Sequence, residues 1–306
     1  HGGASGDIDN DGDMDVVYTE MNSWERGTEF WCLMNDGTGF LKKRKCGGTF
    51  AFGLELADMD GDGDLDALVG AIENEYSSNP TAITGIVWNN GKGFFPSYDV
   101  TRLQQYKKRW GGIPEVSASD LDNDGDLDIV YSRVGDGYIN PGIQIIENLG
   151  NKKFKDHGVI SLDEEGGWIF EITYRDFDGD GDLDLVVANL DESATIYRNE
   201  SSDHHRITIR LKGNGSNTQG IGATIALETD SGREHERQMI PATGFLSSNL
   251  PEFTVGLGED TQIKLLTVTW PSGAVQSFSD LAVDRRYVIS EEAASTAPEA
   301  KVVEPD

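Results

Sequence analysis

A nine-residue phrase, Asp-x-Asp-x-Asp-Gly-Asp-x-Asp, occurs four times and constrains this chain more than any other feature. It runs through Asp7, Asp9, Asp11, Asp13 and Asp15, then through Asp58, Asp60, Asp62, Asp64 and Asp66. It returns at Asp120, Asp122, Asp124, Asp126 and Asp128, and again at Asp176, Asp178, Asp180, Asp182 and Asp184. Start-to-start spacings of 51, 62 and 56 residues mark an internal repeat. Carboxylates about 4 Å apart repel by roughly 4 kcal/mol at an effective dielectric of about 20, so five of them within nine residues require a cation. Calcium takes six to eight hard oxygen ligands in flexible geometry, and alternating carboxylates on a tight loop supply them. The pattern predicts side-chain ligands from the first, third, fifth and ninth positions and a backbone carbonyl from the seventh, with about four calcium ions, one per loop. The sixth position is glycine every time (Gly12, Gly63, Gly125, Gly181), as a sharp turn in an unusual backbone conformation requires.

The flanks exclude an EF-hand, which needs a helix on each side and a glutamate at its twelfth position. The residues after each loop are strand-like instead: Val16-Val17-Tyr18, Ala67-Leu68-Val69, Ile129-Val130-Tyr131 and Leu185-Val186-Val187. A short strand also enters each loop, for example Leu54-Glu55-Leu56-Ala57 or Val116-Ser117-Ala118-Ser119. After an insertion of variable length, a third strand ends at an asparagine and a glycine-rich turn: Asn35, Asn89, Asn148 and Asn199. Phe40, Phe94 and Phe154 then open a fourth strand in the first three repeats. Four short strands per unit of about 50 to 60 residues is the signature of a β-propeller blade.

On these residues the stretch 1–200 resembles the FG-GAP/VCBS repeats of integrin-α-type propellers and many secreted bacterial proteins. The resemblance implies calcium in the loops and a structural or adhesive role; several enzymes carry such repeats only as accessory modules. That family commonly closes a ring of seven blades. Four loops imply a small closed ring or an open arc, and an open arc exposes a strand edge that invites pairing with another chain. Nothing precedes the first strand (Gly2 to Gly6), and the chain begins at His1, so it reads as processed or trimmed.

From His204 to about Ile289 there is no acidic loop, and alternating strands dominate, among them Arg206–Leu211, Ala223–Leu227 and Leu265–Trp270. The phrases Gly220-Ile221-Gly222-Ala223, Gly244-Phe245-Leu246-Ser247-Ser248-Asn249, Val255-Gly256-Leu257-Gly258 and Trp270-Pro271-Ser272-Gly273 resemble the ASPIC/UnbV domain. That small β module follows FG-GAP repeats in cartilage-acidic-protein-like chains and their bacterial relatives. The expected architecture is therefore all-β: propeller-type blades over 1–200, a small β-sandwich-like domain over 201–290 and an extended tail over 291–306. The tail is rich in Ala, Pro and Glu, and Lys301-Val302-Val303 is expected to add as a strand to a neighbouring subunit, with a crystal contact or packing on its own propeller as the alternative.

Net charge is −29, and four calcium ions cancel only eight of those charges. So acidic a chain lacks the basic footprint that nucleic acid or an anionic membrane requires, and no stretch reaches the roughly 18 apolar residues of a membrane span. Cys32 and Cys46 flank the turn Asn35-Asp36-Gly37-Thr38-Gly39; a cross-strand disulfide and two reduced thiols both fit that placement. Low-affinity calcium loops suit the millimolar calcium outside cells, which points to a secreted or cell-surface protein.

No catalytic constellation is visible. The histidines (His1, His157, His204, His205, His235) lack zinc-protease spacing, there is no Gly-x-Ser-x-Gly elbow, and Gly213-Asn214-Gly215-Ser216 lacks a phosphate-loop lysine. Two basic patches, Lys42-Lys43-Arg44-Lys45 and Arg102 through Lys107-Lys108-Arg109-Trp110, are solvated edges or docking sites for an acidic surface such as a second copy. Trp24, Trp110 and Trp168 lie in or beside insertions where a sugar platform fits, and Asn199-Glu200-Ser201 and Asn214-Gly215-Ser216 match the N-glycosylation pattern. The expected function is a non-enzymatic extracellular calcium-binding protein for structure or cell adhesion, self-assembling into a surface or filamentous structure. Its partners are then other copies or an extracellular protein or glycan. The alternatives are a monomeric carbohydrate- or protein-binding module and, more weakly, a fragment of an enzyme.

Overall fold

The computed structural model describes residues 2–19, 30–49, 51–71, 83–103, 112–113, 115–134, 141–162, 169–189, 193–201, 204–240, 242–243, 247–292 and 300–303. Every element among them is a strand. Four antiparallel sheets follow one another along the chain. The first holds β1 (Gly3–Gly6), β2 (Asp15–Tyr18), β3 (Trp31–Asn35) and β4 (Leu41–Lys45) in that order. The second holds β5 (Gly53–Ala57), β6 (Asp66–Gly70), β7 (Gly85–Val87) and β8 (Val100–Arg102). The third holds β9 (Val116–Ser119), β10 (Asp128–Arg133), β11 (Gly142–Asn148) and β12 (Phe154–Ser161). The fourth has three strands, β13 (Ile169–Arg175), β14 (Asp184–Asn189) and β15 (Thr195–Tyr197).

Burial along the second strands shows how the sheets stand. In β2 buried residues alternate with partly exposed ones, whereas every residue of β6 and β10 is buried. A strand buried on both faces lies between two neighbours, so the second and third sheets are interior and the first and fourth are terminal. Three shared cores bear this out. Val17, Phe30, Leu54 and Phe95 join the first sheet to the second; Leu68, Ile86, Ile129 and Tyr131 join the second to the third; Val130, Ile172 and Val187 join the third to the fourth. Among the described residues none of these cores joins the fourth sheet to the first, and the four sheets form an arc.

The rest of the chain is a sandwich. One sheet has the order β21-β16-β24-β25 and the other β18-β17-β22-β23. The strands are β16 (His205–Lys212), β17 (Thr224–Thr229), β18 (Glu234–Gln238), β21 (Glu252–Gly258), β22 (Gln262–Thr269), β23 (Val275–Ala282), β24 (Arg285–Ser290) and β25 (Ala300–Val303), with a small hairpin of β19 (Ala242–Thr243) and β20 (Ser247–Ser248) between β18 and β21. Alternating apolar residues of both sheets close on one core, in which Ile207, Ile209, Ile225, Val255, Leu266, Val268 and Ile289 are buried.

Several expectations change here. The edges of the arc are not free: β19 lies beside β1 and β20 beside β13, so the sandwich spans the gap between the terminal sheets. Asn249, just after that hairpin, accepts hydrogen bonds at Oδ1 from Thr173 Oγ1 at 2.8 Å and the Tyr174 amide at 3.3 Å. The tail strand β25 pairs antiparallel with β24 of its own chain, with Tyr287 opposite Val302. An edge strand a dozen residues upstream is available at high local concentration, which favours the intramolecular pairing. In the second sheet the fourth strand begins at Val100 and not at Phe94. Phe95 instead bridges to Gly47 and packs edge-on against Phe30, with ring centroids 5.6 Å apart. Cys32 and Cys46 form a buried disulfide, Cα to Cα 5.8 Å, that ties β3 to the end of β4. Trp24, Trp110, Trp168 and Lys107-Lys108-Arg109 lie outside the described residues.

Candidate metal centres

Each acidic loop joins the first strand of a sheet to its second. A hairpin connection needs as few as two residues, and the surplus length here is coiled around carboxylates. Two left-handed residues do the coiling. The fourth position has φ of 59° at Asn10, 75° at Gly61, 56° at Asn123 and 78° at Gly179, and the sixth-position glycines lie between 86° and 99°. Glycine, and among other residues asparagine, adopts this conformation at least cost. The coil gathers Asp7, Asp9 and Asp15 in the first loop, Asp58, Asp60 and Asp62 in the second, Asp120, Asp122 and Asp124 in the third, and Asp176, Asp178 and Asp184 in the fourth. In each set, one ligand atom from every residue lies within 4.8 Å of the others.

Backbone amides orient these carboxylates in the same way each time. The first-position carboxylate accepts from amides further round its loop, Gly12 to Asp7 at 2.8 Å, Gly63 to Asp58 at 3.1 Å and Gly125 to Asp120 at 3.1 Å. The ninth-position carboxylate accepts at Oδ2 from the second-position amide and at Oδ1 from the asparagine that ends the third strand. Thus Asp66 accepts from Met59 at 3.3 Å and Asn89 at 2.8 Å, and Asp128 from Leu121 at 3.0 Å and Asn148 at 2.8 Å. The seventh-position side chains point elsewhere. Asp64 accepts from Asn10 Nδ2 at 2.6 Å and Asp182 from Asn123 Nδ2 at 2.9 Å, while a Cβ on Gly37 or Gly150 would meet Asp13 or Asp126 within about 3 Å. With the side chain turned away, the seventh position would serve a cation through its carbonyl. Asp11 and Asp180, at the fifth position, accept from the amides of Asp13 and Asp182.

The residues fit a hard cation. Asp9 Oδ1, Asp60 Oδ1 and Asp120 Oδ1 are buried and accept no hydrogen bond. An unsatisfied buried carboxylate oxygen is costly, and a cation within the cluster supplies the missing partner. The donors are all oxygen, which suits calcium or magnesium and not the nitrogen and sulfur preferences of zinc or copper. Burial pushes Asp66 and Asp128 up to about 8, Asp120 to about 7 and Asp15 and Asp124 to about 6, against the lowering effect of the amide bonds they accept. Without a cation, low-dielectric surroundings favour the protonated acid.

A feature that sequence reading left without a role is the third-strand asparagine. Asn89 Nδ2 donates to Leu65 O of its own loop at 3.0 Å and to Ile8 O of the preceding loop at 2.8 Å. Asn148 does the same with Leu127 O and Met59 O, and Asn199 with Leu183 O and Leu121 O. Three repeats of one bond make a ladder that joins all four loops. Recurrence of asparagine at a fixed place after each loop was the available signal. It also corrects the glycosylation reading of Asn199, whose amide nitrogen is already committed to two carbonyls. Lys152 adds a further link, 2.9 Å from Asp60 of the second loop.

The sandwich meets the arc on the loops. Arg206 Nη2 donates to Asp180 O at 3.0 Å, Arg237 Nη2 to Gly125 O at 2.8 Å, and the Asp7 amide donates to Gln238 Oε1 at 2.9 Å. Between the two lies a cavity of about 1400 Å³, lined by first strands of all four sheets (Ala4, Leu56, Ala118, Tyr174) and by Gln238 and Phe253 of the sandwich.

The model of the FG-GAP-like repeat matches residues 7–69 and 120–187, and that of ASPIC and UnbV matches residues 213–296. The chain is similar to cartilage acidic protein 1 of Xenopus tropicalis, 25% identical over 274 residues, which are 81% of this chain and 40% of that protein. It is 24% identical over 295 residues to cartilage acidic protein 1 of Mus musculus, covering 86% and 42%, and 23% identical over 280 residues to that of Homo sapiens, covering 82% and 40%. The chain spans about two fifths of the length of these relatives.

Proposed function

The chain carries FG-GAP-like repeats and an ASPIC and UnbV domain, and from that premise we propose a calcium-bound extracellular protein with a structural or adhesive role. The observation that carries the reading is the set of buried, hydrogen-bond-deficient carboxylate oxygens inside repeated all-oxygen clusters. Calcium at each loop, about four ions, replaces the protons of the metal-free acids and stiffens the arc where the sheets meet. The disulfide Cys32–Cys46 supports an oxidising, extracellular setting, and the relatives are named for cartilage and for acidity. A non-catalytic role is supported by the gathering of the conspicuous carboxylates into the loop clusters. The aspartates serve the loops, His157 pairs with Glu147 at 2.6 Å, His205 with Asp284 at 2.7 Å, and His204 donates to Asp122 O at 2.8 Å.

Self-assembly into a surface or filament is the finer reading, and its candidate seat is β4. All five of its residues are exposed and four are cationic, on a chain of net charge −29, so it complements the acidic surface of another copy. The alternative, a monomeric module for an extracellular protein or carbohydrate, is favoured by the in-chain pairing of β25 with β24. Calcium titration calorimetry followed by light scattering tests both levels. Absence of calcium uptake sinks the proposal. Large ordered particles in calcium that dissolve in chelator support assembly, and a compact monomer in both conditions supports the alternative.

A further inference from the structure

The four loops share one motif, so differences among them come from what packs on them. In the first loop Asn10, Asp11 and Gly12 are exposed, in the second Gly61 and Asp62, and in the fourth Asp178, Gly179 and Asp180. In the third no residue from Asp120 to Asp128 is exposed. We propose that the C-terminal sandwich is a lid on the third loop, sealing its cation from solvent while the ions of the other three loops exchange freely. This rests on the reading of the loops as calcium sites.

The cover is the end of β21. The Gly256 amide donates to Asp120 Oδ2 at 2.8 Å, and the Gly258 amide donates to Asn123 O at 2.9 Å. The approach is so close that a Cβ on Gly256 would lie 2.3 Å from the carbonyl carbon of Asn123. Only glycine fits there, which gives a physical role to the phrase Val255-Gly256-Leu257-Gly258. Around this contact the sandwich donates to loop carbonyls: Arg233 to Asp124 O, Arg237 to Gly125 O and His204 to Asp122 O. These donors take loop carbonyls, while the carboxylates of Asp122 and Asp124 are oriented by the loop's own amides, from Asp124 and Asp126. Asp120 itself is 1% exposed, its Oδ2 takes two amide protons, from Gly125 and Gly256, and its Oδ1 has no donor. A buried, unsatisfied oxygen facing two further carboxylates under a closed roof is a ligand for a cation that water does not reach. That ion leaves only when β21 lifts, and each 1.4 kcal/mol of opening slows release about tenfold.

The test uses the full chain loaded with radioactive calcium and chased with unlabelled calcium. Terbium is substituted in parallel, and its luminescence lifetimes in H₂O and D₂O count bound waters. The expected result is one ion that leaves at least about tenfold more slowly than the rest and carries the fewest waters. Asp120→Asn removes that slow class, and Gly256→Ala converts it to a fast one while the other ions are unchanged. A single exchange rate and a single hydration number for all wild-type ions overturn the lid, and that comparison decides alone where Gly256→Ala does not fold. A slow ion that persists unchanged in folded Gly256→Ala also overturns it. A chain that binds no calcium overturns the calcium reading itself, a distinct outcome.

Discussion

In the sandwich, two sheets close on one shared core in which Ile207, Ile209, Val255, Leu266 and Val268 are fully buried. In the arc, four sheets of short strands share three smaller cores, and between those cores run the aspartate loops. Both regions are all-β, but their cohesion has different sources. The sandwich depends on apolar burial, which needs no ligand. The arc adds a polar ladder of asparagines and carboxylates, and carboxylates held close together need a counter-charge to stay there. If the loops bind calcium as proposed, the arc is the conditional part of the molecule and the sandwich the unconditional part.

Cation removal should separate the two most sharply. With calcium 100-fold above its dissociation constant, each site adds about 2.7 kcal/mol to the folded state. Chelator should therefore lower the melting transition of the arc far more than that of the sandwich in scanning calorimetry. Equal shifts of both would break the comparison. The pH dependence sharpens it. In the metal-free arc, burial holds Asp66 and Asp128 at about 8 and Asp120 at about 7, above their unfolded values. The folded state then binds protons that the unfolded state releases, so metal-free stability should fall as pH rises from about 4 to about 8. Calcium replaces those protons, so the gap between melting curves with and without calcium should widen over the same range; a flat or rising metal-free curve would contradict this.

Ile209→Ala should cost the sandwich about 2–5 kcal/mol, read as a shift of its denaturation midpoint with the calcium content of the first loop unchanged. Asn148→Ala removes the donor to Met59 O and Leu127 O. It should lower the arc transition by about 1–3 kcal/mol and leave the sandwich transition in place. An Asn148→Ala chain with an unaltered arc would show that the ladder is decoration.

Much of this was legible because it is local. The alternation of aspartates, the glycine at the sixth position and the apolar runs after each loop specify a coiled loop between two strands wherever they occur. For that reason β9 spans the expected Val116–Ser119, β5 begins one residue before the expected Leu54, and a strand follows each loop. The second sheet was misread at Phe94 because an apolar residue after a turn serves equally as a strand opener or as an inward plug. Phe95 takes the plug position against Phe30. The asparagine ladder was missed because its acceptors, such as Ile8 O for Asn89, lie a whole repeat away.

The residues alone determined an all-β chain of four acidic loops followed by a second β module, because spacing within about ten residues decides turn, strand and carboxylate clustering. Only the tertiary structure decided that the disulfide forms, that β25 returns to its own β24, and that the sandwich bridges the ends of the arc and leaves no residue of the third loop exposed. Those outcomes depend on contacts between residues far apart in the chain, such as Gly256 on Asn123. Their energies come from shape and desolvation at the point of contact, and neither is written in the local pattern of either partner.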